Sequence, residues 1–188
     1  MSNEAKKRFF IISSLTVKDS SDYLARQPEE SFHLMSGVVI DGIIVLERII
    51  PIKHEYRSIG GWKGDAFDTI KKLLFLDAYE HALLCTWHIH PSKGMNATFP
   101  SKVDLNYQES LERGGYQAIM AIFSRDGFFR FFNIKNDFEI RIYGKGVESV
   151  DEQAKLFKIS KTNDISWPED GASRFSFRYR SAGKNSGL

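Results

Sequence analysis

The chain has 188 residues, of which 42% are hydrophobic and 27% are charged, with a formal net charge of +2 at pH 7. These values indicate one globular domain with its own core, and the charge is too small to indicate nucleic acid or a membrane surface as a partner. No apolar run reaches the roughly 20 residues that a transmembrane helix needs. The single cysteine, Cys85, excludes an internal disulfide and a cysteine-rich metal site, so we expect a cytoplasmic protein.

The first third of the chain alternates strand patterns with turn signals. Aromatic and β-branched residues are typical of strands, and Asp41-Gly42, between two apolar runs, predicts a two-residue hairpin turn. The predicted elements are a strand over 8–16, a helix over 18–27, strands over 32–40 and 43–50, and a mobile glycine-containing loop over 52–65.

The remainder of the chain mixes helical and strand periods. The predicted elements are a helix over 67–76, a strand over 83–90, a loop over 91–100, a helix over 102–113, and strands over 116–124, 128–134 and 138–143. This alternation predicts an α/β or α+β domain with helices on a central sheet. We assign residues 1–160 to that domain and residues 161–188 to a polar, flexible tail.

His88 and His90 stand two residues apart in the predicted strand over 83–90. Side chains two apart on a strand project to the same face, so both imidazoles can reach one metal ion. A pair with this spacing arises by chance in roughly one sequence in eight with this histidine content. The pair is therefore a weak signal when taken alone.

Asp104 ends the segment Pro100-Ser101-Lys102-Val103-Asp104, which has two interpretations. Ser-x-x-Asp is a helix capping box, in which Asp104 helps only to begin the predicted helix. A carboxylate in a first helical turn is also held in place and can be a third metal ligand. Two histidines and one carboxylate leave the fourth position of a tetrahedral zinc site open, which is typical of catalytic zinc.

His88-Ile89-His90-Pro91, followed by Pro100-Ser101-Lys102-Val103-Asp104, resembles the motif of the JAMM (MPN+) metallopeptidases, H-x-H-P and then P-S-x-x-D. Upstream, Glu30-Ser31-Phe32-His33-Leu34-Met35-Ser36-Gly37 resembles the family's glutamate strand, E-x-x-G-x-L-x-G. The resemblance covers roughly residues 8 to 143. It implies the JAMM/MPN fold, a cytidine-deaminase-like, mixed and mostly antiparallel sheet flanked by helices.

The resemblance also implies a role for each site residue. His88, His90 and Asp104 would hold one zinc ion per chain, Glu30 would be the general base, and Ser101 would donate a hydrogen bond to the developing oxyanion. A carboxylate beside the metal can take and return a proton, and a positioned donor stabilises negative charge in the transition state.

Three features bear on this assignment. Glu29 and Glu30 are equal candidates for the base without the resemblance, and only the family's register selects Glu30. Ten residues, 91–100, separate His90 from Ser101 where the family usually has seven. His33 replaces a glycine of the glutamate strand, and such a histidine either contacts substrate or is a satisfied core or surface residue.

The resemblance implies a peptidase or isopeptidase that cleaves after the C-terminal tail of a ubiquitin-like protein, in deconjugation or precursor maturation. The chain resembles compact prokaryotic members, which often act beside activating and conjugating enzymes encoded in the same operon. The tail of the modifier would dock as an added strand, held by segments 52–65 and 91–100. We expect no nucleic-acid or membrane partner.

Two alternatives remain open. One is a JAMM hydrolase that releases an amino acid such as cysteine from a sulfur-carrier protein. The other is a non-catalytic MPN scaffold, although scaffolds usually lack one or more of the ligands that are present here.

Overall fold

The computed structural model describes residues 7–27, 29–58 and 61–160. The proposed tail, residues 161–188, lies outside these ranges. None of the helices within them has the length and apolar character needed to cross a membrane.

Short strands dominate the described chain. The strands are β1 (Arg8–Ser13), β2 (Ser31–Ile40), β3 (Ile43–Pro51), β4 (His54–Ser58), β5 (Gly61–Gly64), β6 (Ala82–Ile89), β7 (Ile119–Phe123), β8 (Phe128–Phe132), β9 (Phe138–Tyr143), β10 (Val147–Asp151) and β11 (Leu156–Ile159). The helices are α1 (Ser14–Ala25), α2 (Ala66–Ala78), α3 (Lys102–Arg113) and a 3-10 helix, Met95–Thr98.

Within the described residues, nine strands form one sheet in the order β10-β11-β8-β7-β6-β2-β3-β1-β9, and β4 and β5 form a separate hairpin. The pairs β1–β3, β1–β9 and β6–β7 are parallel, and the other pairs of the large sheet are antiparallel. The two edge strands, β9 and β10, are consecutive in the chain with only residues 144–146 between them. The sheet therefore curls into a nearly closed, barrel-like form.

This architecture corrects the fold predicted from the sequence. The prediction of an α/β, helix-flanked JAMM/MPN sheet is wrong, because the chain is mostly β and its sheet encloses its own core. The main core contains buried residues from most of the sheet strands together with Val17 and Leu24 of α1. Its aromatic members stack and meet edge to face, as in the contacts of Phe129 with Phe123, Phe131 and Phe157.

A second, smaller apolar cluster lies on the opposite face of β2 and β6. Phe32, Leu34, Ile52 and Leu83 form it, and side chains of α2 and α3 pack against them. Phe32 pairs with His88 across the two strands, so this face of the sheet also carries the candidate metal ligand. Helix α3 thereby lies beside the face on which the predicted site is built.

Several predicted boundaries differ from the observed ones. Segment 52–65, predicted as a loop, contains the hairpin β4–β5, whose glycines concealed its strand pattern. The Ser13 side chain accepts a hydrogen bond from the Thr16 amide and begins α1 four residues before the predicted start. The strands β10 and β11 were not predicted.

Gly37 lies at an irregularity of β2, where the pairing register with β3 shifts between Ser36 and Gly37. A Cβ atom at Gly37 would lie 1.9 Å from the carbonyl oxygen of Val45, a backbone atom that cannot rotate away. We expect Gly37→Ala to lower the free energy of unfolding by at least about 1–3 kcal/mol, the cost of overpacking a core. Urea denaturation of the two proteins measures this difference.

Candidate metal centre

From Cys85 onward, strand β6 presents its residues alternately to the two faces of the sheet. Cys85, Trp87 and Ile89 lie in the main core, while His88, at 0% exposure, takes the other face. His90 follows directly after the strand, and its amide donates to Phe123 O at 2.9 Å. The two predicted histidine ligands are therefore brought together as their spacing indicated.

The ring of His90 is oriented by the loop that follows it. His90 Nδ1 lies 2.6 Å from Ala97 O, at the 3-10 helix. A carbonyl oxygen only accepts hydrogen bonds, so Nδ1 carries the proton and donates it. When the ring is neutral, Nε2 therefore keeps its lone pair, which is the arrangement found in metal-ligating histidines.

Asp104 occupies the first turn of α3, where it forms the predicted capping box and also faces both candidate histidine ligands. Ser101 Oγ accepts from the Asp104 amide at 3.3 Å, and the Ser101 amide donates to Asp104 Oδ2 at 2.7 Å, which completes a capping box. The same carboxylate places Oδ1 3.3 Å from His88 Nε2 and Oδ2 3.5 Å from His90 Nε2. The helix cap thus fixes a carboxylate at the two imidazoles.

The spacing of these donor atoms fits one small cation. His88 Nε2 and His90 Nε2 are 3.0 Å apart, and one ligand atom from each of the three residues lies within 4.8 Å of the others. For a tetrahedral ion with bonds of about 2.0–2.1 Å, neighbouring ligand atoms lie about 3.3 Å apart. The group of His88, His90 and Asp104 could therefore hold a metal ion.

Burial and mutual contacts set the charges of the three ligands. Burial lowers the pKa of His88 to about 4, against the influence of Asp104, so this ring is neutral. Burial also opposes charge on His90 and Asp104, but hydrogen bonds and neighbouring charges, their mutual contact first among them, together outweigh it. The pKa of His90 is therefore raised and the pKa of Asp104 is lowered. Ala97 and Glu30 also raise the pKa of His90, and His88 and Ser101 also lower that of Asp104.

Glu30 directly precedes β2, next to the strand pair Ser31–Ile89, and His90 directly follows that pair on β6. Its Oε1 atom is 3.7 Å from His90 Nε2, and its side chain is 13% exposed. Burial is the main cause that raises the pKa of Glu30; His90 opposes the increase and Asp104 adds to it. The amide of Glu30 donates to Ser58 O of β4, which fixes this segment beside the hairpin.

Ser101 is exposed at the start of α3 and acts as its N-cap. If Ser101 also supplies the oxyanion donor, Ser101→Ala should lower kcat by about 10²–10³-fold and the free energy of unfolding by about 1 kcal/mol. Steady-state kinetics and urea denaturation separate the two effects. Ser110→Ala, which removes a hydroxyl from the same helix, is the control and should leave kcat unchanged. A normal kcat in Ser101→Ala would mean that Ser101 caps α3 and has no part in catalysis.

His33 and His54 have contacts of their own besides the three candidate ligands. His33 is buried on the Trp87 face of the sheet, where its Nδ1 accepts from the Ile52 amide at 3.2 Å and its ring contacts His54. His33 is thus a core residue with hydrogen-bonding partners.

Cys85 is fully buried, and burial raises the pKa of its thiol well above the usual value.

The sequence did not predict the residues that hold the loop after His90 in place. Asp126 accepts a hydrogen bond from the Gly94 amide at 2.8 Å, and the amide of Arg125 donates to Ser92 O at 3.0 Å. The sequence signal at this place, Asp126-Gly127, indicated only a hairpin turn. Nothing local in the sequence identifies the distant partners.

Comparisons with known proteins add a fold likeness and no family. No protein-family model matches the chain, and the search of curated proteins found no match. The solution structure of protein DSY2949 from Desulfitobacterium hafniense is similar to this chain, with a TM-score of 0.52 and 14% sequence identity, over 72% of this chain and 94% of that one. At this identity the likeness concerns the fold alone.

Proposed function

We propose that the chain is a single-zinc metallopeptidase or isopeptidase, with His88, His90 and Asp104 as ligands and Glu30 as general base. The observation that carries the proposal is the convergence of these four side chains, which come from three separate parts of the sequence, within 3.0–3.7 Å contacts. The order and type of the residues resemble the JAMM motif, and this resemblance supports the assignment independently of the overall fold.

Zinc suits the donor set better than harder cations do. Two imidazole nitrogens and one carboxylate are typical zinc ligands, whereas magnesium and calcium prefer oxygen. Three protein ligands leave a fourth position open, which is typical of catalytic sites. When bound, zinc lowers the pKa of water to about 7 and polarises a carbonyl oxygen.

The chain's own residues would supply proton transfer and orientation. Glu30 Oε1 lies beside His90 Nε2, where it can accept a proton from the attacking water and return it to the leaving amine. The Ala97 carbonyl holds the His90 ring in its tautomer. Buried Phe32, which packs edge to face on Tyr107, supplies apolar surface beside His88 and excludes water there.

The proposed substrate is a peptide or isopeptide bond after the extended C-terminal tail of a ubiquitin-like protein. Support comes from the motif resemblance and from the hairpin β4–β5, which contacts the Glu30 segment through Ser58. In the described residues this hairpin is a two-stranded sheet, and an extended peptide adds readily to such an edge. The proposed partners are the modifier, its conjugates and operon-encoded activating and conjugating enzymes.

Cleavage of defined conjugates tests the proposal. The purified chain, loaded with one equivalent of zinc, is offered a ubiquitin-like protein linked to lysine through an isopeptide bond and, separately, a sulfur-carrier protein bearing C-terminal cysteine. We expect cleavage of the isopeptide conjugate, its loss on chelation and its return with zinc. Release of cysteine alone would reassign the substrate, and cleavage of neither would favour a non-catalytic scaffold.

A further inference from the structure

The turn between β7 and β8, residues 124–127, contacts both parts of the candidate site. It contains Arg125 and Asp126, which belong neither to the metal ligands nor to the proposed base. One residue of the turn reaches the loop after His90, and the other reaches both this loop and the segment before Glu30.

Asp126 is connected to the ring of His90 by a short series of hydrogen bonds. Its Oδ1 atom accepts from the Gly94 amide at 2.8 Å and from Ser124 Oγ at 2.7 Å. Gly94 has φ 84, a left-handed conformation that favours glycine, and it is the N-cap of the 3-10 helix. Ala97 of that helix accepts the hydrogen bond from His90 Nδ1. The Asp126 carboxylate therefore fixes the loop that orients a metal ligand.

Arg125 connects the loop after His90 to the segment that directly precedes Glu30. Its guanidinium donates to Ala25 O at 2.9 Å and to Glu29 O at 3.4 Å, directly before Glu30. Its backbone amide donates to Ser92 O at 3.0 Å. Because the backbone hydrogen bond survives substitution by alanine or lysine, the two contacts of Arg125 can be separated by mutation.

We propose that Arg125 and Asp126 are positioning residues with separate tasks. Asp126 orients His90 through the loop, and Arg125 sets the place of Glu30 relative to that ligand. Groups that orient metal ligands typically change metal affinity or activity by about 10–100-fold, and a displacement of about 1 Å at a reacting group can cost about 10²-fold. The Arg125 part rests on the proposed function, whereas the Asp126 part concerns metal binding alone.

Zinc affinity and kinetics of the full chain test the division of tasks. We expect Asp126→Ala to bind zinc about 10–100-fold more weakly in competition with a chromophoric chelator. Asp126→Asn should restore binding, because its amide oxygen can still accept both hydrogen bonds. Arg125→Ala should bind zinc normally but lose about 10–100-fold in kcat with KM unchanged, and Arg125→Lys should recover part of that loss.

Hydrogen exchange of the metal-free chain supplies a readout that does not depend on activity. Asp126→Ala should speed exchange over residues 91–98 and leave 26–31 unchanged, and Arg125→Ala should do the reverse. Arg113→Ala, which removes an exposed arginine paired with Glu109 on α3, is the control and should change neither segment.

The two proposals fail in different ways. A chain that binds no zinc and cleaves nothing refutes the proposed function, while the exchange pattern still decides the positioning. Zinc binding by Asp126→Ala as tight as in the unaltered chain, or faster exchange throughout the chain in both variants, would overturn the positioning proposal.

Discussion

Glu30→Gln should retain one zinc ion per chain and lose about 10²–10⁴-fold in kcat, the usual contribution of a general base. Glutamine keeps the size of the side chain, but its amide cannot accept a proton from water at neutral pH. The ligands His88, His90 and Asp104 remain in place, so zinc content should not change. Metal analysis and steady-state kinetics on one preparation measure both quantities.

Glu29→Gln is the matched control for this substitution. The neighbouring residue contributes its backbone carbonyl to Arg125, and that contact survives the change. We expect normal kcat and zinc content in Glu29→Gln. Full activity in Glu30→Gln, or loss of activity in Glu29→Gln instead, would refute the assignment of the base.

His88→Ala should lose zinc and, with it, all cleavage activity. His88 is fully buried and its Nε2 atom lies 3.0 Å from His90 Nε2 and 3.3 Å from Asp104 Oδ1, so its removal leaves two ligands. Added zinc should not restore activity at concentrations that saturate the unaltered chain. Elemental analysis and a zinc titration followed by cleavage assays measure the effect.

Two further variants separate loss of the ligand from loss of the fold. Asp104→Asn retains an amide oxygen that can accept from the Ser101 amide, so the cap of α3 persists while the carboxylate ligand is lost. His81→Ala removes a histidine from the turn after α2 and should bind zinc normally. Normal zinc content in Asp104→Asn would show that Asp104 is only a capping residue.

The convergence of the site could be anticipated from local patterns. Because side chains two apart on a strand project to the same face, His88 and His90 are expected to point the same way. A capping box fixes a carboxylate in the first turn of a helix. Both patterns are short-range and readable from neighbouring residues. The choice between Glu29 and Glu30 needed the family resemblance, and the structure places Glu30 Oε1 3.7 Å from His90 Nε2.

The closure of the sheet could not be anticipated in this way. Strand β1 pairs in parallel with both β3 and β9, and Arg8 lies opposite Phe138, 130 positions later. Such pairing depends on which edges meet after the chain has collapsed, and no local period encodes it. Alternating helices and strands therefore favoured a helix-flanked sheet over the observed barrel-like one.

Arg125 and Asp126 could not be predicted as positioning residues either, because their partners are distant in the sequence. The hydrogen bonds of Asp126 to Gly94 and of Arg125 to Glu29 span 32 and 96 residues. In the sequence, Asp126-Gly127 looks like any hairpin turn. Its second role appears only when the turn is placed beside the loop that follows His90.

We expect one zinc ion to bind to His88, His90 and Asp104 and to leave a position open for the substrate. The most direct measurement is X-ray diffraction from crystals of the zinc-loaded chain, recorded on both sides of the zinc absorption edge. We expect one anomalous peak per chain, within about 2.0–2.2 Å of His88 Nε2, His90 Nε2 and one Asp104 oxygen. Absence of a peak there, or a fourth protein ligand filling the open position, would refute a catalytic zinc site at these residues.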